Sequence, residues 1–408
     1  MRYPKAFLDY LRTLLQNCPL TYAFIPESTQ NGTRDNTTLC GHFYPDVPLE
    51  QSGRFNRLAT TLYAKFLLSH PTDASYHLFT EMQPSIHLLT RETYDNLAST
   101  MFQISHDEAL SRLLDTYLII RQYALTEEAR TRVRALNGEE ISSLFPMEVT
   151  RILIDHKLPF ELQKMNLAEY EYLRLAATAD FSVIGAIDGE IPPISAKHFE
   201  DETDTRVRNF ALTANLCEIA GHSGAYTQYG SAFLDEQIAT DYLTIMRFAT
   251  HRGVVTNFYR EEATKLLFGT DFDDSEAIAG VRLSRLMGEP TEAKYVAEYL
   301  THTYPKYDKI VHELNLGFPW NTHGDRPIVY QYGRSYLGIA YQLRKMNGSQ
   351  LPLERTMREE LPLLINQIKA LRRASLLNPP RADLLYLDLS EDARLSKKHL
   401  REIKKKML

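Results

Sequence analysis

Glu218 and His222 stand four residues apart in a stretch, Thr205 to Gly221 and on to His222, that reads as one helix. A carboxylate and an imidazole at that spacing share a helix face one turn apart. Such a pair can bind one metal ion, or can hold a carboxylate–imidazole couple for proton transfer. It extends a longer polar stripe of Asp204, Arg208 and Asn215, at spacings of three, four and seven. Val207, Phe210, Ala214 and Cys217 flank the stripe on one side, and Leu212, Leu216 and Ile219 on the other. A helix that is apolar on both flanks belongs inside a protein, and a buried polar stripe must find partners there. The stripe therefore reads either as a site or as a structural network between helices. Gly221, Ser223 and Gly224 at the helix end are small enough to admit a ligand or a second helix.

The run Leu216-Cys217-Glu218-Ile219-Ala220-Gly221-His222-Ser223-Gly224 resembles the metal-binding stretch of HD-superfamily metal-dependent phosphohydrolases. That resemblance implies a divalent metal whose bound water attacks a phosphate. It places Glu218 at the position of the family's Asp, with His198 as the earlier histidine and Asp235 or Asp241 as the later acid. Cys217 stands where the family has its central histidine, which removes one ligand from the pattern.

Other groupings carry chemistry of their own. Trp320, the only tryptophan, lies in a Gly- and Pro-rich segment with His323, Asp325 and Arg326. Loops of that composition line ligand clefts, or pack as ordered surface loops around an aromatic anchor. Tyr332 and Arg334 open the next helix, where an anion is favoured. His106-Asp107 lies within Ser105-x-x-Glu108, which matches a capping box. Asp271 to Glu276 lacks the glycine and distal glutamate of a calcium loop, and fits a turn leading into a helix. The chain has no nucleophile elbow, phosphate-cradling glycine loop or dinucleotide fingerprint. The basic segment from Arg394 to Leu408 suits an acidic protein or an anionic membrane surface, or a solvated tail.

The elements that must position these residues are helical. Apolar residues recur at three- and four-residue spacing in Phe7–Leu15, Leu58–Leu68, Ser105–Ile120, Met147–Ile154, Leu167–Ala177, Ser231–His251, Glu292–Leu300 and Glu359–Leu377. Strand-like alternation is brief, as around Asp383–Leu389. Gly185–Pro193 reads as a turn or linker, and Gly317–Gly333 as an ordered loop. The expected fold is an all-α, multi-helix globular array. Its expected divisions are an N-terminal helical region (1–145), a central core with the candidate site (146–378) and a basic C-terminal helix or tail (379–408). The 408 residues are 44% hydrophobic, enough for a full core. A net charge of -6 argues against general nucleic-acid binding. Three scattered cysteines, no export signal and no long apolar run are expected of a soluble, cytoplasmic chain with reduced thiols. Taken together, the residues point first to a metal-dependent hydrolase of phosphoester-type substrates. The alternatives are a non-enzymatic helical binding or regulatory protein and, third, a metal-dependent oxygenase, because His and carboxylate ligands also suit iron.

Overall fold

The computed structural model describes residues 3–24, 40, 43–44, 53–137, 146–222, 231–266, 274–302, 308–315, 327–377 and 385–394. Among the described residues 79% are helical, in 19 helices with two short strands, so the fold is a multi-helix all-α array. No helix among them is long and apolar enough to cross a membrane. In chain order the helices begin with α1 (Lys5–Asn17), α2 (Gly53–Ser69), α3 (Asp73–Thr80), α4 (Arg91–Ser105) and α5 (Glu108–Tyr123). Next come α6 (Glu127–Asn137), α7 (Pro146–Asp155), α8 (Phe160–Gln163), α9 (Leu167–Ala179), α10 (Val183–Ile187) and α11 (Lys197–Asp201). Then follow α12 (Thr205–Gly221), α13 (Glu236–Arg247), α14 (Val254–Leu266), α15 (Asp274–Leu286), α16 (Ala293–His302) and α17 (Asp308–Asn315). Strand β1 (Ile328–Gln331), α18 (Gly333–Met346), α19 (Pro352–Leu377) and β2 (Leu385–Asp388) complete the described chain.

The chain forms two compact units that interleave along the sequence. One comprises Met1–Asp180 and Asp201–Ala249, the other Phe181–Glu200 and Thr250–Leu408. Neither 145 nor 378 coincides with a boundary between them.

In the first unit α12 is the central helix, packed on α2, α4, α5 and α9. That is why it is apolar on both flanks: Val207, Phe210, Leu212, Ala214, Leu216, Cys217 and Ile219 are all buried. Its last residue, Gly221, lies against α2. A Cβ there would fall 2.5 Å from the Thr61 Cα and 2.6 Å from its backbone nitrogen, so only glycine permits the approach.

In the second unit α15 is central, packed on α14, α16, α17 and α18. Leu283, Leu286 and Met287 meet Ile328, Tyr330, Leu337 and Met357 in one apolar core. The segment expected as a loop up to Gly333 contains β1, which pairs in parallel with β2 in the register Ile328 to Leu385 and Gln331 to Asp388. The β-rich Ile-Val-Tyr run is buried at its first three positions, which makes it a strand in spite of its Gly- and Pro-rich surroundings.

The capping box expected at Ser105 is corrected. Ser105 is the last residue of α4, and its hydroxyl donates to Phe102 O. Asp107 caps α5 instead, its Oδ1 accepting from the Ala109 and Leu110 amides at 2.9 and 3.1 Å. Glu108 faces Arg112 one turn on, at 3.8 Å, and does not reach back.

Candidate functional site

Glu218 projects from the fourth turn of α12 toward α5. Its Oε1 accepts from Gln122 Nε2 at 2.9 Å, and its Oε2 is ion-paired with Arg121. The Arg121 guanidinium also holds Asp180 at the end of α9. Tyr117 donates to Asp180 Oδ2 at 2.9 Å and Asn215 to Asp180 Oδ1 at 2.7 Å. All four carboxylate oxygens are therefore occupied by donors from two helices, α5 and α12. The cluster lies deep, with the Arg121 and Asp180 side chains 5% and 1% exposed.

Burial pushes the Glu218 carboxyl up. Arg121, by charge and by hydrogen bond, with Arg57 and His222 behind it, draws it instead below its ordinary range. Burial likewise depresses Arg121, and Glu218 more than restores it. Glu218 is thus an ionised structural partner of an arginine.

His222 is exposed beyond the helix end. Its Nδ1 is 3.4 Å from Arg57 Nη2, and its ring lies 4.8 Å from that of Phe233. Of the rest of the stripe, Asp204 caps α12 on the Arg206 amide, Arg208 donates to Ala249 O at 2.8 Å, and Asn215 joins the Asp180 cluster.

The other residues expected around a metal are placed as follows. Asp235 caps α13 through the Ile238 amide. Asp241 is buried on α13, with Gln237 Nε2 at 3.4 Å from its Oδ1. His198 is exposed on α11 and belongs to the other unit. Among the described residues no group of three or more His, Cys, Asp or Glu is arranged to hold a metal ion. The residues present do not fit a divalent ion at Glu218. Both its oxygens are committed, and the nearest charge is a guanidinium that would repel a cation. Cys217, in the place of the family's histidine, is fully buried with its thiol pushed up to about 12, chiefly by burial, so it is not poised as a thiolate ligand. Trp320, His323, Asp325 and Arg326 lie outside the described residues, as do Ser223, Gly224 and the basic segment beyond Arg394.

The anion expected at the start of α18 is one of the protein's own side chains. Glu190 Oε1 accepts from the Arg334 amide at 3.2 Å, and the Arg334 guanidinium pairs with Asp188. Arginines of α15 hold the backbone of the same turn. Arg285 donates to Ile187 O at 2.8 Å, while Arg282 reaches Gly189 O at 3.2 Å and also Leu314 O. Gly189 has φ +77°, and a Cβ on it would fall 2.5 Å from Arg282 O. Burial and the neighbouring Asp188 carboxylate push Glu190 up to about 8, against the Arg334 and Gly333 amides and the Arg334 charge, which lower it.

Sequence reasoning missed Arg121, Asp180 and Glu190. A signal for Arg121 was present, since it interrupts the apolar run Leu118-Ile119-Ile120 on a helix that is buried on most sides.

No family model matches the chain, and no match to it was found among curated proteins or solved structures.

Proposed function

We propose that this chain is a helical binding protein that engages another protein through the loop between α3 and α4. The observation that supports this is the loop's presentation of Met82, Ile86 and Leu88, which are 38%, 82% and 43% exposed within seven residues. Scattered exposed aliphatics are ordinary, but these three sit on backbone that is firmly tied. Gln83 is buried beneath them and donates to Ser231 O and Leu234 O, both at 2.7 Å, while accepting from the Leu89 amide at 2.9 Å. Tyr76 donates to Leu89 O at 2.7 Å, and Glu236 accepts from the Thr90 amide at 2.7 Å. A backbone held in place before contact loses little entropy on binding, and aliphatic anchors of this kind fit an apolar cleft on the partner.

The test is a photo-crosslinking amino acid at position 86, compared with one at Glu92 on the following helix. A partner crosslinked from 86 and lost in Ile86→Asp, with an unchanged melting temperature, supports the reading. Identical products from both positions, or a melting temperature several degrees lower in Ile86→Asp, would overturn it. Elemental analysis separates the metal-dependent hydrolase. A stoichiometric divalent ion that Glu218→Gln removes without loss of stability would favour that function instead.

A further inference from the structure

The acidic side chains of this chain are unevenly spread. From residue 66 to residue 111 there are six carboxylate side chains and one basic side chain, Arg91. From 209 to 246 there are four carboxylates and no lysine or arginine. The whole chain has 46 basic and 52 acidic side chains, so its acidic excess is concentrated in these two stretches. They supply α3, the loop that carries Met82, Ile86 and Leu88, then α4 and α13, and α13 packs on α4.

Four of these carboxylates stand on either side of the loop. Asp73 opens α3 with its side chain 90% exposed, and Glu81 closes that helix directly before Met82. Glu92 and Asp95, both exposed, lie in the first turns of α4. A fifth, Glu236 of α13, accepts from the Thr90 amide and the Thr93 hydroxyl, both at 2.7 Å, where the loop enters α4. Arg91 is committed between two of them. It pairs with Asp73 and, at 2.9 Å, with Asp95, and its guanidinium lies over the Tyr76 and Tyr94 rings. One cation between two carboxylates leaves the surroundings of the loop negative.

Apolar anchors inside a rim of one sign select a partner of the opposite sign. Complementary rim charges speed the encounter, and like charges exclude wrong partners. Resting on the loop's role as a binding surface, we propose that its partner is a protein with an apolar cleft bordered by lysine and arginine. The three aliphatic side chains enter the cleft, and the carboxylates of α3 and α4 act on its basic border through the intervening solvent. The same charges disfavour an anionic lipid surface.

The experiment uses three synthetic amphipathic helical peptides that share one leucine face and differ only in whether Lys, Gln or Glu flanks it. Binding of each to the full chain is measured at pH 8, at about 20 mM and about 500 mM salt, where exposed charges are respectively weakly and strongly screened. The expected order is Lys, then Gln, then Glu. At low salt the Lys peptide should bind at least about fivefold more tightly than the Gln peptide, and at high salt less than about twofold. Asp73→Asn with Glu81→Gln should narrow the low-salt gap, and Ile86→Ser should weaken the Lys and Gln peptides alike. Equal binding of all three peptides that still depends on Ile86 overturns the basic partner and leaves the anchor loop standing. Binding that Ile86→Ser does not change, or binding by none of the three, fails the anchor loop itself. Should the double variant fail to fold, the salt series on the unaltered chain decides, and a Lys-to-Gln gap that salt leaves unchanged rejects the proposal.

Discussion

Two carboxyls of this protein meet arginine in opposite ways. Glu218, in the first unit, shares Arg121 with Asp180, and neutral donors from Tyr117, Asn215 and Gln122 complete both carboxylates. Glu190, in the second, accepts from the Arg334 amide and stands beside an Asp188 that pairs with the Arg334 guanidinium. Both sites pair one arginine with two acids. The difference lies in the neutral donors: three side chains stabilise ionisation in the first site, whereas in the second the like charge and burial oppose it. Glu218 is accordingly held below its ordinary range and Glu190 above it.

The largest effect is expected at Arg121. Arg121→Met leaves the buried Asp180 without its guanidinium and Glu218 with only the charges of Arg57 and His222, a loss on the order of 3–5 kcal/mol. Chemical denaturation with exchange read on α5 and α12 would measure it. Adding Asp180→Asn and Glu218→Gln to the same variant should recover much of the loss, because removing a whole ionic cluster is far less costly than breaking it. A cost under about 1 kcal/mol for Arg121→Met would show the cluster to be solvated and the contrast with Glu190 to be empty.

Next comes Gly189→Ala, which tests whether the second site is as rigid as the first. The positive φ alone costs about 1–3 kcal/mol, and the new Cβ would also strike Arg282 O. Gly348→Ala is the control, since Gly348 has φ +70° with nothing within 4 Å. The cost at 189 should exceed that at 348 by about 1–3 kcal/mol of overpacking. Equal costs would mean that the turn yields freely and that the arginines of α15 do not clamp it.

How much of this could be read beforehand differs between the two sites. The bounds of α12 and its burial on both flanks follow from its periodicity, and so does the demand that Glu218 find a partner. The partner itself does not follow, because Arg121 is 97 residues away and periodicity carries no information across such a separation. The second site was less legible. A Gly- and Pro-rich segment without periodicity reads as a linker, yet its turn is fixed by residues 93 and 144 positions later. Ser105 misled for a local reason. The helical pattern of Met101 to Ile104 carries α4 through the serine, and Asp107 two residues on is the nearer acceptor for the opening amides of α5.

Glu218→Gln and Glu190→Gln should move stability in opposite senses with pH. Glu218 contributes above its ordinary value and loses that contribution as pH falls through its depressed folded value. Glu218→Gln should therefore cost about 1–3 kcal/mol near neutrality, and the difference from wild type should shrink in acid. Glu190→Gln should instead gain on wild type as pH rises toward 8. Melting curves of both variants at pH 4, 6 and 8.5 would check this, and profiles parallel to wild type in either variant would break the comparison.

The smallest effect sets the scale for a carboxylate on helix amides when burial and competing charge are both absent. Asp107 is exposed and caps α5 with no arginine bonded to it, so Asp107→Ala removes only the cap, at a cost of about 1 kcal/mol. Ser105→Ala, at the end of α4, should change stability by no more than about 0.5 kcal/mol, since it loses only exposed contacts to the Phe102 carbonyl and the His106 ring. A larger loss from Ser105→Ala than from Asp107→Ala would restore the serine as the cap. The expected order makes the amide contacts of Glu190 worth about as much as this exposed cap. They then fall short of what desolvation and Asp188 together cost its ionised form, which is the balance that raises the second carboxyl while the first is lowered.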